Sequence, residues 1–161
     1  MGYAVIRAAL AVAVAGLVYS GSAFAQKPSQ ALRDFATVQS CIKSKPGNEE
    51  KCIGLVSEPC LRDVSGVTSE MNGCIAREQA LWDDILNDTF RRLRDKIDEE
   101  QKIKLRDMQR AWITSREKTC AFYWDFFQGT MASPMTSECN NRETARRAIF
   151  LLGFLLDADN K

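Results

Sequence analysis

Apolar side chains follow two different rhythms along the chain. At the front, Ala8 to Val18 is an unbroken apolar run that follows one positive side chain, Arg7, and leads into Ala23-Phe24-Ala25. A positive start, a short apolar run and a small-x-small end are what signal peptidase reads. Residues 1–25 are therefore expected to be a cleaved leader, with 26–161 a single exported domain. The run is too short to span a bilayer. The first cysteine is Cys41, so no thiol lies near the cleavage site for a lipid anchor.

Beyond the leader the rhythm is helical. Leu32, Phe35, Ala36, Val38 and Ile42 predict a helix over 31–43, closed by a turn at Lys45-Pro46-Gly47-Asn48. A second short helix is predicted over 49–62, with Glu58-Pro59 straining its last turn, followed by a turn over 63–66. Thr68 or Ser69 is expected to cap the main helical segment. Neither Gly nor Pro occurs between Gly73 and Gly129, and Trp82, Leu86, Phe90, Leu93 and Ile97 fall on one helical stripe. The stripe lapses over 98–101 and resumes at Leu105, Met108 and Trp112. One straight helix through this stretch would be about 80 Å long, where a small domain is about 30 Å across. A reversal near residues 98–102 is expected instead. The predicted fold class is all-α, a small disulfide-stapled helical bundle built on a long antiparallel helix hairpin.

In such a hairpin Phe90 would face Gln109 and Trp112, Leu86 would face Ile113 and Arg116, and Trp82 would lie near Cys120. Gln109, Trp112, Arg116 and Cys120 share one stripe, so an amide, an indole and a guanidinium stand where a core would carry Leu or Val. A half-buried guanidinium needs an acidic or carbonyl partner, and Asp83 or Asp84 is the predicted one. The five aromatics within 122–127 are expected mostly in the core beside a disulfide, with one or two rings exposed. Residues 128–134 form a loop by composition, and Thr136 or Ser137 is expected to cap the last helix. Ala148 to Leu156 is apolar on every side, which fits either a buried helix end or a contact between two copies of the chain.

Charge and cysteine content narrow the function. Removing the leader takes Arg7 from 22 basic side chains and leaves 21, equal to the 21 acidic ones. A balanced domain lacks the electrostatic footprint of a nucleic-acid binder. Six cysteines and no histidine follow the leader. An even count in an exported chain reads as three disulfides, and hairpin geometry favours neighbours in sequence: Cys41–Cys52, Cys60–Cys74 and Cys120–Cys139. Without histidine or C-x-x-C pairs, no metal site or cofactor is expected, and Ser-His-Asp and Cys-His chemistry is excluded. The carboxylates of the main helix, such as Asp84 and Asp88, alternate with arginines at four-residue spacing. That is the pattern of a solvated ion-paired face rather than a glycosidase pair. No catalytic residue is assigned.

Taken together, Cys52-Ile53-Gly54, Cys60, Cys74 with Glu78, Trp82-Asp83, Leu86-Asn87, Gln109, Trp112, Arg116 and Cys120, then Cys139, Thr144 and Arg147, form a pattern. It resembles the N-terminal domain family of LprI-type lysozyme inhibitors over roughly residues 40–152. The chain departs from that pattern at Gln128-Gly129-Thr130, where a paired glycine before Ser or Thr is expected. The resemblance implies a helical, disulfide-bonded, periplasmic or secreted domain, and for at least some relatives inhibition of lysozyme. Lysozymes are commonly basic with an acidic cleft, so a neutral inhibitor needs a local arrangement. Gly129, Thr130, Ser133 and Arg142 are the expected partner-binding residues, and Asp83, Asn87, Gln109, Trp112 and Arg116 a structural polar seam. The partner would be lysozyme or another envelope protein, with a homodimer, an envelope-stress or scaffold role without lysozyme activity and, more distantly, a carboxylate-based glycan hydrolase as alternatives.

Overall fold

A computed structural model describes residues 29–160. The leader predicted over 1–25 lies outside them. The described residues hold five α-helices and no strand: α1 (Gln30–Ser44), α2 (Ser57–Asp63), α3 (Thr68–Lys96), α4 (Glu99–Phe127) and α5 (Ala132–Asp159). The predicted helix over 49–62 is split. Glu49–Cys52 forms a short 3-10 turn, and the chain then bends at Gly54, whose φ of +93° belongs to glycine, before α2 begins. Pro59 therefore stands in the first turn of α2 rather than the last, and Pro134 likewise in the first turn of α5. Both positions lack an intrahelical acceptor for their N–H in any case, so proline does no harm there.

The long reversal comes at Ile97-Asp98, without glycine, because a capping box begins the next helix. The Asp98 carboxylate accepts from the Gln101 N–H at 2.8 Å, and the Gln101 side-chain oxygen accepts from the Asp98 N–H at 3.3 Å. The facing residues predicted for a simple hairpin are not realised as direct packing, because α5 is the main partner of both α3 and α4. It runs parallel to α3, from Asn72, which bonds Ser133 and Ser137 near the start, to a Lys96–Asp159 ion pair of 2.6 Å near the end. It runs antiparallel to α4, joined by Cys120–Cys139. Ala145 and Ala148 are fully buried, and their small side chains let α5 come close to its neighbours. Trp82, Leu86, Leu151 and Leu155 fill the core around them. Ala148, Leu151 and Leu155 of the apolar run at 148–156 are thus core, while Phe150, Phe154 and Leu156 face outward.

All six cysteines are bonded, as Cys41–Cys52, Cys60–Cys74 and Cys120–Cys139. Each bond spans a change of chain direction: α1 into the 3-10 turn, α2 into α3, and α4 into α5. The α3–α4 reversal has no disulfide and relies on its capping box. Each bond is worth roughly 3 kcal/mol through the entropy it removes from the unfolded chain.

Three expectations about the region after Cys120 are corrected. The loop over 128–134 shrinks to Gln128 and a 3-10 turn at Gly129–Met131, because α5 already starts at Ala132. Thr136 and Ser137 lie inside the helix rather than at its cap: the Thr136 hydroxyl bonds the Ala132 carbonyl, and that of Ser137 bonds Asn72. Thr68 and Ser69 likewise lie inside α3, whose cap position is Val67. The aromatic run is largely outside the core, with Phe122, Trp124, Phe126 and Phe127 all exposed.

Gln128 has φ +49° and ψ 173°, a conformation that costs a non-glycine residue about 1–3 kcal/mol. It occupies the place where the resembled pattern has glycine. Gln128→Gly is expected to stabilise the protein by about 1 kcal/mol net of the extra chain entropy, raising Tm by a few degrees in a thermal melt. An unchanged or lower Tm would show that Gln128 is not strained.

Candidate functional site

The polar stripe of α4 is completed by α5. The Arg116 guanidinium donates to the Thr144 hydroxyl at 2.8 Å, and Arg147 donates through Nε to the Gln109 side-chain oxygen at 2.8 Å. Both guanidiniums lie over the Trp112 indole, at 4.8 and 5.6 Å from its centroid. Nε of Arg116 and Nη2 of Arg147 are buried without a hydrogen-bond partner, and the electron-rich indole face is the compensation on hand. The predicted Arg116–Asp83 ion pair is absent at contact distance, because Thr144 takes the guanidinium. Asp83 still feels that charge: burial raises its carboxyl pKa and Arg116 partly offsets the rise. Asn87 is not in the seam. It is exposed and lines a groove with Leu32 and Phe35 of α1. The seam thus unites Gln109, Trp112 and Arg116 with Thr144 and Arg147. It has no nucleophile and no opposed carboxylate pair.

A second polar centre lies on α3 and was not among the expected site residues. Glu78 is fully buried. One carboxylate oxygen accepts from the Gly54 N–H at 2.7 Å and the Trp82 indole N–H at 3.0 Å. The other accepts from the Val56 and Ser57 N–H groups at 2.9 and 2.8 Å. The backbone of 54–57 forms a nest of donors around an internal anion, at the start of α2. Burial works to raise the Glu78 pKa, but the bonds from Ser57, Gly54, Trp82 and Val56 together outweigh it and hold the pKa below its ordinary value. Its neighbour Arg77 reaches the other way, to Asp34 of α1 at 3.1 Å and the Val56 carbonyl at 3.5 Å. The pair fixes the Gly54 bend against both α1 and α3. A signal for Glu78 did exist. It lies on the same stripe as Cys74, Ile75, Leu81, Trp82 and Ile85, where a carboxylate must be buried and therefore bonded.

Glu138 of α5 is the counterpoint. Burial raises its carboxyl pKa, Arg142 opposes the rise, and Glu78 and Glu58 add to it. Asp84 is exposed, and Asp88 is paired with Arg91 at 3.3 Å and Arg92 at 3.6 Å. These two are therefore part of a solvated face.

Of the expected partner-binding residues, Gly129 and Thr130 are exposed at the α4–α5 turn, and the Thr68 hydroxyl donates to the Thr130 carbonyl at 3.5 Å. Ser133 is half-buried and accepts from Asn72 at 2.7 Å, so its hydroxyl serves the fold. Arg142 is exposed but stands about 13 Å further along α5 from Ser133, at the helical rise of 1.5 Å per residue. The four do not form one cluster. The turn instead shares a shallow groove with Trp124, Asp125 and Ala132.

Two tests follow from these centres. Glu78→Gln would set an amide NH2 against backbone donors and should cost about 3 kcal/mol, lowering Tm by roughly 10 °C. Because the folded pKa of Glu78 is depressed, its contribution is present above the ordinary value near 4.5 and is lost as pH falls through the folded pKa. The wild type should therefore lose stability on acidification below about pH 4.5, and Glu78→Gln should lose less over the same window. Equal acid sensitivity in both proteins would rule Glu78 out as its source. Arg116→Ala, which strips the Trp112 face and the Thr144 bond, should cost about 1–3 kcal/mol in chemical denaturation. An intact midpoint would contradict a structural role for the seam.

The sequence matches the family model described as Lysozyme inhibitor LprI over residues 60–151, from the Cys60 of α2 to the core of α5. That is narrower at its start than the resemblance read from the motifs, since the Gly54 bend precedes it. Comparison with curated proteins and with solved structures returns no match. The family is one of inhibitors rather than enzymes, and the partner its name implies is lysozyme. Inhibitor membership and three disulfides are features of a protein that works outside the cytoplasm. No helix among the described residues is long and apolar enough to cross a membrane. On the match across most of its helical core, the chain belongs to the lysozyme inhibitor LprI family.

Proposed function

We propose that this chain is an exported, non-catalytic protein that binds lysozyme and protects cell-wall peptidoglycan from it. The family match over 60–151 is the observation that carries the reading. It is supported by an exposed turn at Gln128–Met131 that the Cys120–Cys139 bond holds in place. In this reading the leader is cleaved after Ala25, the mature chain is periplasmic or secreted, and no lipid is attached. A rigid turn enters a partner at little ordering cost. Gly129 and Thr130 are the members of the expected set that face outward there.

The test is to mix the purified mature protein with c-, g- and i-type lysozymes and follow the lysis of cell-wall suspensions. Protection against at least one class is expected at micromolar protein. Protection against none would overturn the inhibitor reading and leave a scaffold or envelope-stress role. Glycan cleavage by the protein alone, abolished in Asp84→Asn, would make it an enzyme.

A further inference from the structure

The end of α4 is the most aromatic exposed surface of the described chain. Phe122 is 65% exposed, Trp124 53%, Phe126 67% and Phe127 41%, with Met131 at 45% on the adjoining turn. Phe122 and Phe126 lie 5.8 Å apart, and Phe126 meets Phe127 edge-on at 5.3 Å, so these three rings form one patch, with Trp124 on the adjoining groove. A fully buried aromatic removes 150–250 Å² from water, so these side chains leave roughly 500 Å² open. That is near the upper limit of what a monomer carries without a use for it. A standard interface takes about 800 Å² from each partner. The aromatic tip supplies more than half of that, and the adjoining Gln128–Thr130 turn extends it.

Asp125 decides between the occupants. It is exposed beside Trp124, on the groove shared with Gln128 and Gly129 rather than among the phenylalanines, and takes part in none of the ion pairs formed among the described residues. A lipid layer that admitted the rings would have to bring this carboxylate with them, which is costly. A two-fold contact through the tip would bring two Asp125 carboxylates toward each other. A basic protein with a cleft suits both features. Its cleft takes the convex rings, as ligand pockets are mostly apolar with a few polar groups, and its basic surface meets the carboxylate.

Resting on the inhibitor reading, we propose that the α4 tip is the lysozyme-binding surface. Phe122, Phe126 and Phe127 occupy the sugar-binding cleft, and Asp125, with Trp124 beside it, meets the basic rim. The Cys120–Cys139 bond sets the direction of the tip before binding. This moves the interface from the polar turn to the aromatic helix end that precedes it.

Three variants of the mature chain test this: Trp124→Ala, Phe122→Ala with Phe126→Ala, and Asp125→Arg. Calorimetric titration against c-type lysozyme is read beside thermal melts and sedimentation. The variants should melt with the wild type, since the altered side chains are exposed. Trp124→Ala should weaken Kd roughly 30-fold or more, as a hot-spot aromatic does. Asp125→Arg should slow association and reduce its salt dependence. Should the wild type inhibit and all three variants inhibit equally well, the tip is not the interface, while lysozyme inhibition stands. A wild type that inhibits no lysozyme overturns both. Tip variants that lose self-association, or lose binding to zwitterionic vesicles, while keeping inhibition assign the tip to a second copy or to lipid and overturn the proposal.

Discussion

One buried carboxylate anchors the half of the molecule that has least secondary structure. Between the 3-10 turn and α2, the chain from Ile53 to Val56 has no helix to satisfy its backbone. Buried N–H groups left open there would each cost about 1–3 kcal/mol. Glu78 takes those of Gly54 and Val56, with the Ser57 N–H at the head of α2 and the Trp82 indole as well. In return the donors make an ionised carboxylate tolerable at zero exposure, which burial alone would disfavour. The arrangement also accounts for Gly54. Its positive φ directs the N–H to Glu78, and a Cβ there would sit 2.5 Å from the Glu58 carboxylate. Gly54, Val56, Ser57, Glu78 and Trp82 are therefore one unit, although they are spread over two segments of sequence.

The rest of the fold is a matter of holding chain reversals. Three carry a disulfide, and the fourth, between α3 and α4, carries the Asp98–Gln101 capping box. With three of its four turns fixed covalently, the bundle needs little core from α4, where only Leu105 and Cys120 are buried. The second half of that helix is held by the Trp112–arginine seam and the Cys120–Cys139 bond. Its aromatic end is thus free to face outward on a rigid base. The strained Gln128 sits at this junction, where α4 stops and α5 begins.

Much of this was legible in the sequence. The four-three spacing of Trp82, Leu86, Phe90, Leu93 and Ile97 identified α3, helix length demanded a reversal, and the lapse of the apolar stripe over 98–101 placed it. The spacing of the cysteines gave the connectivity seen. What periodicity cannot tell is which element covers an apolar face. Arg116 was expected to meet Asp83 across a two-helix hairpin, because the intervention of α5 leaves no mark within α3 or α4. Phe122 to Phe127 failed for a related reason: a run apolar on nearly every side has no preferred face, so burial and exposure read alike. Glu78 was named in the resembled pattern but given no role, because a carboxylate among many was weighed by charge pattern. Its position on the core stripe was the better guide.

The measurement that reaches both the anchor and the surface is amide hydrogen exchange on the free protein and with lysozyme added. The amides of Gly54, Val56 and Ser57 should already exchange as slowly in the free protein as those of the α3 and α5 core, although they lie in and beside an irregular segment. Lysozyme should add protection over 122–131 and leave 54–57 unchanged. Fast exchange at Gly54, Val56 and Ser57 in the free protein, or new protection confined to α1 and the outer face of α3, would contradict the arrangement described.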